Sequence, residues 1–437
     1  MTGSRRRRWL SRVGLLVVAT SLLSACASDA ELDSLDPAGP DARRIDNLVT
    51  PVFIIAGVVL LFVAAATIYS IRRFRASRYA EGDFPEQLHG NTKLEIGWTI
   101  VPALILAGIA VFTVAEIQNL NDFSEEDSLD VVVVGNQWWW EYRYYLDGFD
   151  PDTDYDPEID PSIEPVQNRE GKTQKTADLI TATQLVVPAG KEIHLTVTSR
   201  DVVHSFWIPR LNGKRDAVPN RMSPWKLTAD EPGVYFGQCT EFCGLSHSRM
   251  RMQVVALEPS EFEAWLEDAL QPRKAPTADA QAWLDQQVAI ESGEEIAEDD
   301  LIPAPDGTAA ERGMVAFRQQ CSRCHEVNGI NDTIYEGAEQ ASGAAPNLSL
   351  FANRTTYAGG IFNLYNPDGT VNRPQLEAWL RNPPAEKAMY PNTADPMLAR
   401  GMPNLGLSEA QIDDLVEFLL TLGPKPSDAV IQATEVE

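Results

Sequence analysis

Along this 437-residue chain the spacing of hydrophobic and polar positions changes character several times. Near the N-terminus an apolar run from Val13 to Leu23 follows a basic stretch containing Arg5, Arg8 and Arg12, the order of an export signal. Two longer unbroken runs, from about Leu48 to Ile71 and from about Ile96 to Ile117, each match the roughly 20 residues that cross a bilayer as a helix. From Asp130 to about Ala256 the runs shorten to Val131–Val134, Gln184–Val187, Ile193–Thr198 and Arg251–Ala256 between Pro and Gly turns, which predicts an all-β sandwich or barrel. Helical spacing returns after Ala309. Gly313 and Phe317 lie one turn apart on a helix where glycine permits a close crossing. Ile412, Leu415, Val416 and Leu419 share a face behind Ser408 as N-cap, with Gln411 three residues on and Gly423-Pro424 beyond the end.

These patterns predict a multidomain membrane protein. Its parts are a signal segment over 1–25, a two-helix transmembrane hairpin over 45–118, an all-β domain over 127–258, a linker over 268–308 with some helix around Ala282–Ile290, and an all-α domain over 309–423. Charge sets the orientation. Residues 1–115 hold 12 Lys+Arg and 10 Asp+Glu against 24 and 53 in the remainder, a net of about +2 against −29. Arg72, Arg73, Arg75 and Arg78 lie between the two apolar runs, whereas Glu125, Glu126 and Asp127 follow the second, so the connecting loop is expected inside and all later residues outside. An acidic exterior disfavours nucleic acid and suits basic protein partners or plain solubility. The stretch from Asp147 to about Asp178 is rich in Asp, Pro and Glu and reads as a solvated insertion between strands. Leu23-Ser24-Ala25-Cys26 has the form of a bacterial lipobox, which predicts cleavage before Cys26 and its lipidation; a plain signal with an incidental cysteine is the alternative.

The five cysteines do not form a disulfide framework. Cys239-Thr240-Glu241-Phe242-Cys243-Gly244-Leu245-Ser246-His247-Ser248-Arg249-Met250 places two thiolates, an imidazole and a thioether within twelve residues, a soft donor set that suits copper. A zinc site or a pair of buried thiols are the competing readings; the zinc reading leaves Met250 without a role and uses an unusual three-residue gap between the cysteines. His204, in His204-Ser205-Phe206-Trp207, stands where strand sequence gives way to loop and would supply a second imidazole. His194 alternates with Ile193 and Leu195 and is expected at the surface. His89 lies in the inner loop and receives no metal role.

The pattern Cys-x-Glu-x-Cys-Gly-x-x-His-x-x-Met with its upstream His-Ser-Phe resembles subunit II of cytochrome c oxidase. His89 to Ile96, Trp98 to Pro102 and Gln137-Trp138-Trp139-Trp140 resemble it too, over roughly residues 45 to 270. The resemblance implies a two-helix hairpin followed by a cupredoxin-like barrel carrying the binuclear copper centre CuA. Cys239 and Cys243 would bridge both coppers, His204 and His247 would bind one each, and Met250 and the Glu241 carbonyl would be weak outer ligands. The Glu241 side chain would face a magnesium site shared with the catalytic subunit. Trp138 resembles the tryptophan through which electrons arrive in that family; a buried aromatic strand residue is an equal alternative.

Cys321-Ser322-Arg323-Cys324-His325 has the spacing of covalent haem c attachment, two thiols for the vinyl groups and an imidazole for iron. Met389, Met397 and Met402 are candidates for the sixth ligand. Gly401-Met402-Pro403-Asn404-Leu405-Gly406 resembles the axial-methionine segment of cytochrome c domains fused to subunit II, which selects Met402, and such fusions are typical of caa3-type oxidases. Met314 reads as core. The expected function is electron transfer from a quinol-cytochrome c reductase complex or small cytochrome, through haem c and CuA, to a separate oxygen-reducing catalytic subunit in the bacterial cell membrane. The apolar stretches contain none of the five histidines, so no oxygen-reducing site is expected here. A copper-dependent nitric oxide reductase subunit and a membrane-tethered copper-delivery protein are the alternatives.

Overall fold

The computed structural model describes residues 30–78, 90–124, 128–151, 153–154, 175–331, 334–335, 338–339, 344–390 and 400–434. The signal segment, Cys26, His89, Met397 and most of the acidic insertion lie outside the described residues. Two helices, Pro40–Arg73 and Thr92–Leu120, are long and apolar enough to span a bilayer, and none of their apolar windows is buried against the rest of the chain. Asn91 caps the second by accepting from the Leu94 amide. The first begins docked on the β domain: the Ala38 amide donates to Arg210 O at 2.7 Å and the Asp230 amide to Ala38 O at 2.9 Å. The chain is a membrane protein whose later domains lie outside.

Among the described residues the β domain has ten strands: β1 Leu129–Asn136, β2 Trp139–Tyr145, β3 Leu179–Ala182, β4 Gln184–Pro188, β5 Ile193–Ser199, β6 His204–Phe206, β7 Arg215–Ala217, β8 Ser223–Leu227, β9 Gly233–Gln238 and β10 Arg251–Leu257. One sheet runs β3-β2-β1-β5-β8, with β1 parallel to β5; the other runs β4-β10-β9, with β4 parallel to β10. Between them Val131, Val133, Trp140, Tyr142, Leu185, Val187, Leu195, Val197, Phe206, Met252 and Val254 form the core. The continuous valine run of β1 has a simple cause, since Val132 and Val134 are also buried, on the opposite face with Tyr145.

The C-terminal unit is helical. Helix Ala309–Gln320, opened by a Thr308–Glu311 capping box, crosses helix Glu409–Leu419, opened by the Ser408–Gln411 box. A Cβ at Gly313 would lie 2.0 Å from Asp414 O, so only glycine allows this approach. Phe317 and Phe418 pack across the crossing at 5.5 Å between ring centroids, and Met314 is fully buried. The stretch 268–308 is more than a linker: helix Ala278–Glu291 sends Ala280, Trp283 and Leu284 into this same core.

Candidate functional site

The loop between β9 and β10 is closed at its base, where the Cys239 amide donates to Met250 O at 2.9 Å. That closure turns the twelve-residue motif into a compact nest of donors. The Cys239 and Cys243 sulfurs lie 3.8 Å apart. His204 Nδ1 is 3.9 Å from Cys239 Sγ, His247 Nδ1 is 3.6 Å from Cys243 Sγ, and Met250 Sδ is 3.8 Å from Cys243 Sγ. The Glu241 carbonyl sits 3.3 Å from Cys239 Sγ. All six residues singled out in the sequence therefore converge. Cys239, Cys243, Met250 and His204 are buried.

Neighbouring residues fix the orientation of these donors. His204 Nε2 lies 2.8 Å from Asp201 Oδ1; a carboxylate accepts, so Nε2 carries the proton and the Nδ1 lone pair faces the sulfurs. Burial alone would lower the His204 pKa, but the bonds to Asp201 and Cys239 outweigh it and raise it, while the same histidine holds Asp201 low against its own burial. Gln137 Nε2 and Trp138 Nε1 both donate to Cys243 O, at 2.6 and 3.1 Å. Gly244 adopts φ +111°, and a Cβ there would meet Gln137 Nε2 at 2.8 Å, so the glycine is required by conformation and by space. The Cys239 thiol is pushed down by the Cys243 hydrogen bond, and Cys243 is pushed up by the same bond. One proton leaves this pair readily and the second is held, because two thiolates this close repel; a metal cation removes that repulsion.

In the helical unit Cys321 ends helix Ala309–Gln320, and the following turn carries Cys324 and His325, closed by the His325 amide on Cys321 O at 3.0 Å. His325 Nδ1 lies 2.8 Å from Pro346 O; the carbonyl only accepts, so Nδ1 donates and Nε2 is left as an unprotonated donor atom. Desolvation lowers the His325 pKa to about 4, partly offset by this bond, so the ring is neutral at physiological pH. Arg354 is buried, bonds Asn347 O, and leaves Nε without a partner among the described residues. Met402 packs half-buried against the same core. Met389 belongs instead with the β-domain core and fills the space beside Gly401.

Trp138 is 2% exposed and lies in the turn between β1 and β2. His194 is half-buried rather than fully at the surface, held between Glu192 at 3.0 Å and Asp130 at 3.5 Å. Asp201, Pro346 and Arg354 escaped the sequence reading, which named Gln137 only as part of the aromatic run and gave it no role at the site. Asp201, three residues before His204, carried the only local signal.

The chain matches the family descriptions "Cytochrome C oxidase subunit II, transmembrane domain" over residues 27–115, "Cytochrome C oxidase subunit II, periplasmic domain" over 129–257 and "Cytochrome c" over 310–423. Cytochrome c oxidase subunit 2 of Bacillus subtilis is 30% identical over 402 residues, covering 87% of this chain and 92% of the relative. That of Alkalihalophilus pseudofirmus is 28% identical over 419 residues, covering 94% and 97%. The Cereibacter sphaeroides protein of the same name is 33% identical over 279 residues, covering 59% and 90%.

Proposed function

Because this chain belongs to the cytochrome c oxidase subunit II family and carries a C-terminal cytochrome c domain, we propose that it relays single electrons from haem c through a binuclear copper centre to the oxygen-reducing subunit. Membership makes it a copper- and haem-binding subunit of a haem-copper oxidase. The observation that carries the finer reading is the convergence of two cysteine sulfurs, two Nδ1 atoms and a thioether in one nest.

The donor chemistry fits copper. Cys239 and Cys243 would bridge two ions, His204 and His247 would each terminate one, and Met250 and the Glu241 carbonyl would be the outer ligands. Bound copper supplies a one-electron couple whose charge is shared over two metals and two thiolates. The protein's part is to keep that couple rigid: Asp201 fixes the His204 tautomer, and Gln137 and Trp138 pin the Cys243 carbonyl. Burial of the sulfurs argues against loosely held cargo for delivery elsewhere.

For haem c, Cys321 and Cys324 would form the thioether links, with His325 Nε2 and Met402 Sδ as axial ligands. The unpartnered Nε of Arg354 is a donor suited to a propionate carboxylate. Phe242 is 78% exposed and Leu245 46%, beside exposed Glu241. This apolar lip is the surface a catalytic subunit would cover, which would leave the Glu241 carboxylate to reach a shared magnesium ion. Cys26 would carry lipid, and a quinol-oxidising complex or small cytochrome would be the donor.

Rapid mixing of the assembled oxidase with a reduced small cytochrome under carbon monoxide tests this order. Haem c absorbance should reduce first and the near-infrared copper band should follow. Copper reduction preceding haem reduction would overturn it.

A further inference from the structure

The helical domain is seated on the copper domain through a buried polar interface. Thr355 and Thr356 meet the outward side chains of β4 and β10: the Thr355 amide donates to Gln184 Oε1 at 3.0 Å, Gln184 Nε2 to Thr355 Oγ1 at 2.5 Å, and Thr356 Oγ1 to Gln253 Oε1 at 3.1 Å. The Arg251 amide extends this seam to Gly359 O at 2.9 Å. At its centre stands Lys387. It is 3% exposed, has no carboxylate in salt-bridge reach among the described residues, and donates through Nζ to Trp138 O at 2.8 Å and to Ala358 O at 2.7 Å. Burial lowers its pKa to about 7; a buried amine whose partners among the described residues are two carbonyls is costly to keep, and here it joins the two domains. Gly359, at φ +77°, makes room for it: a Cβ there would sit 2.5 Å from Trp138 O and 2.6 Å from Lys387 Nζ.

Three residues beyond Lys387, the Tyr390 ring lies 6.2 Å from the Trp138 ring, tilted by 52°. Tyr390 is paired with Arg400 by reciprocal backbone bonds of 2.9 and 2.8 Å, and Arg400 is two residues before Met402. Trp138 in turn donates to Cys243 O at 3.1 Å. Arg400 also approaches Asp201, the His204 partner, at 3.7 Å. The haem-side methionine segment and the copper loop are thus linked by one ring contact and short hydrogen bonds.

We propose that Lys387 is the positioning residue that holds the haem domain in its electron-donating seat, and that Tyr390 is the bridging ring through which electrons reach Trp138 and the copper loop. This rests on the ligand roles proposed above for Met402 and Cys243. One electron leaves ferrous haem, which becomes ferric, and reduces the mixed-valence copper pair; no bond or proton changes place. Because Trp138 is covered by this chain's own domain, a soluble donor has no direct access to it and must deliver to haem.

The test uses the assembled oxidase, with photoreduction of haem c and detection of the copper band. Wild-type spectra of both cofactors check the underlying ligand reading separately. In Lys387→Met both spectra should persist, the haem-to-copper rate should fall about ten-fold or more and become dependent on ionic strength, and the Arg251 amide should exchange faster with deuterium. Lys387→Gln, which keeps a donor, should recover part of the rate. Tyr390→Leu, at a half-exposed ring, should slow transfer while the Arg251 amide stays protected. An unchanged rate and exchange in Lys387→Met would overturn the latch, and an unchanged rate in Tyr390→Leu would overturn the bridge.

Discussion

The two redox regions of this chain are built in opposite ways. The proposed copper nest takes five of its six residues from one twelve-residue loop clamped between paired strands, and each of its other donor atoms lies within 4 Å of a cysteine sulfur. The proposed haem site takes three residues from a single turn, but Met402, its proposed sixth ligand, arrives on a separate segment that packs only partly into the helical core. A binding site assembled by a rigid β frame is expected to persist without its metal, whereas one assembled from distant segments depends on its ligand to close.

The largest effect that would sharpen this contrast is Cys243→Ser. It should abolish the mixed-valence copper signal in EPR while the haem c spectrum stays intact; loss of both signals would mean that the two regions fold as one. Met402→Ala should do the converse, converting the low-spin haem to a weakly ligated form with a lower potential in a redox titration, with copper unaffected. If Met402→Ala left the haem spectrum unchanged, Met389 or Met397 would take its place.

Asp201→Asn has a subtler expected effect. It keeps the size of the side chain but removes the carboxylate that fixes His204, so copper affinity should fall by about 10- to 100-fold in a chelator competition, with the haem untouched. An effect of comparable size belongs to the helical frame. Gly313→Ala forces a Cβ against Asp414 O, and the overpacking should cost about 1–3 kcal/mol in denaturant unfolding followed by haem absorbance, with copper EPR unchanged.

The same contrast explains what was legible in the sequence. The copper loop was readable because its donors are close in sequence, and His204 because a recognisable His-Ser-Phe accompanies it. Strands β1, β4, β5 and β10 and the Ser408 cap followed from local periodicity. What stayed hidden is non-local. Lys387 reads as an ordinary polar residue after a short helix, and only the docking of Gly359 against Trp138 reveals why it is buried. Helix Ala278–Glu291 was read as partly helical linker because Pro, Asp, Glu and Ala dominate its surroundings; Trp283 and Leu284 declare its inward face only once a second core is there to receive them. Arg354 likewise gains meaning from Asn347 and His325, brought together by the fold.

The most direct test of the account is the metal content and EPR spectrum of the exported soluble part, residues 120–437, from cells that attach haem c and are supplied with copper. The account predicts about two coppers per haem iron, an EPR signal from one electron shared by both coppers, and a low-spin haem c spectrum. One copper or one zinc per haem would contradict it, leaving a tethered cytochrome beside a different metal site.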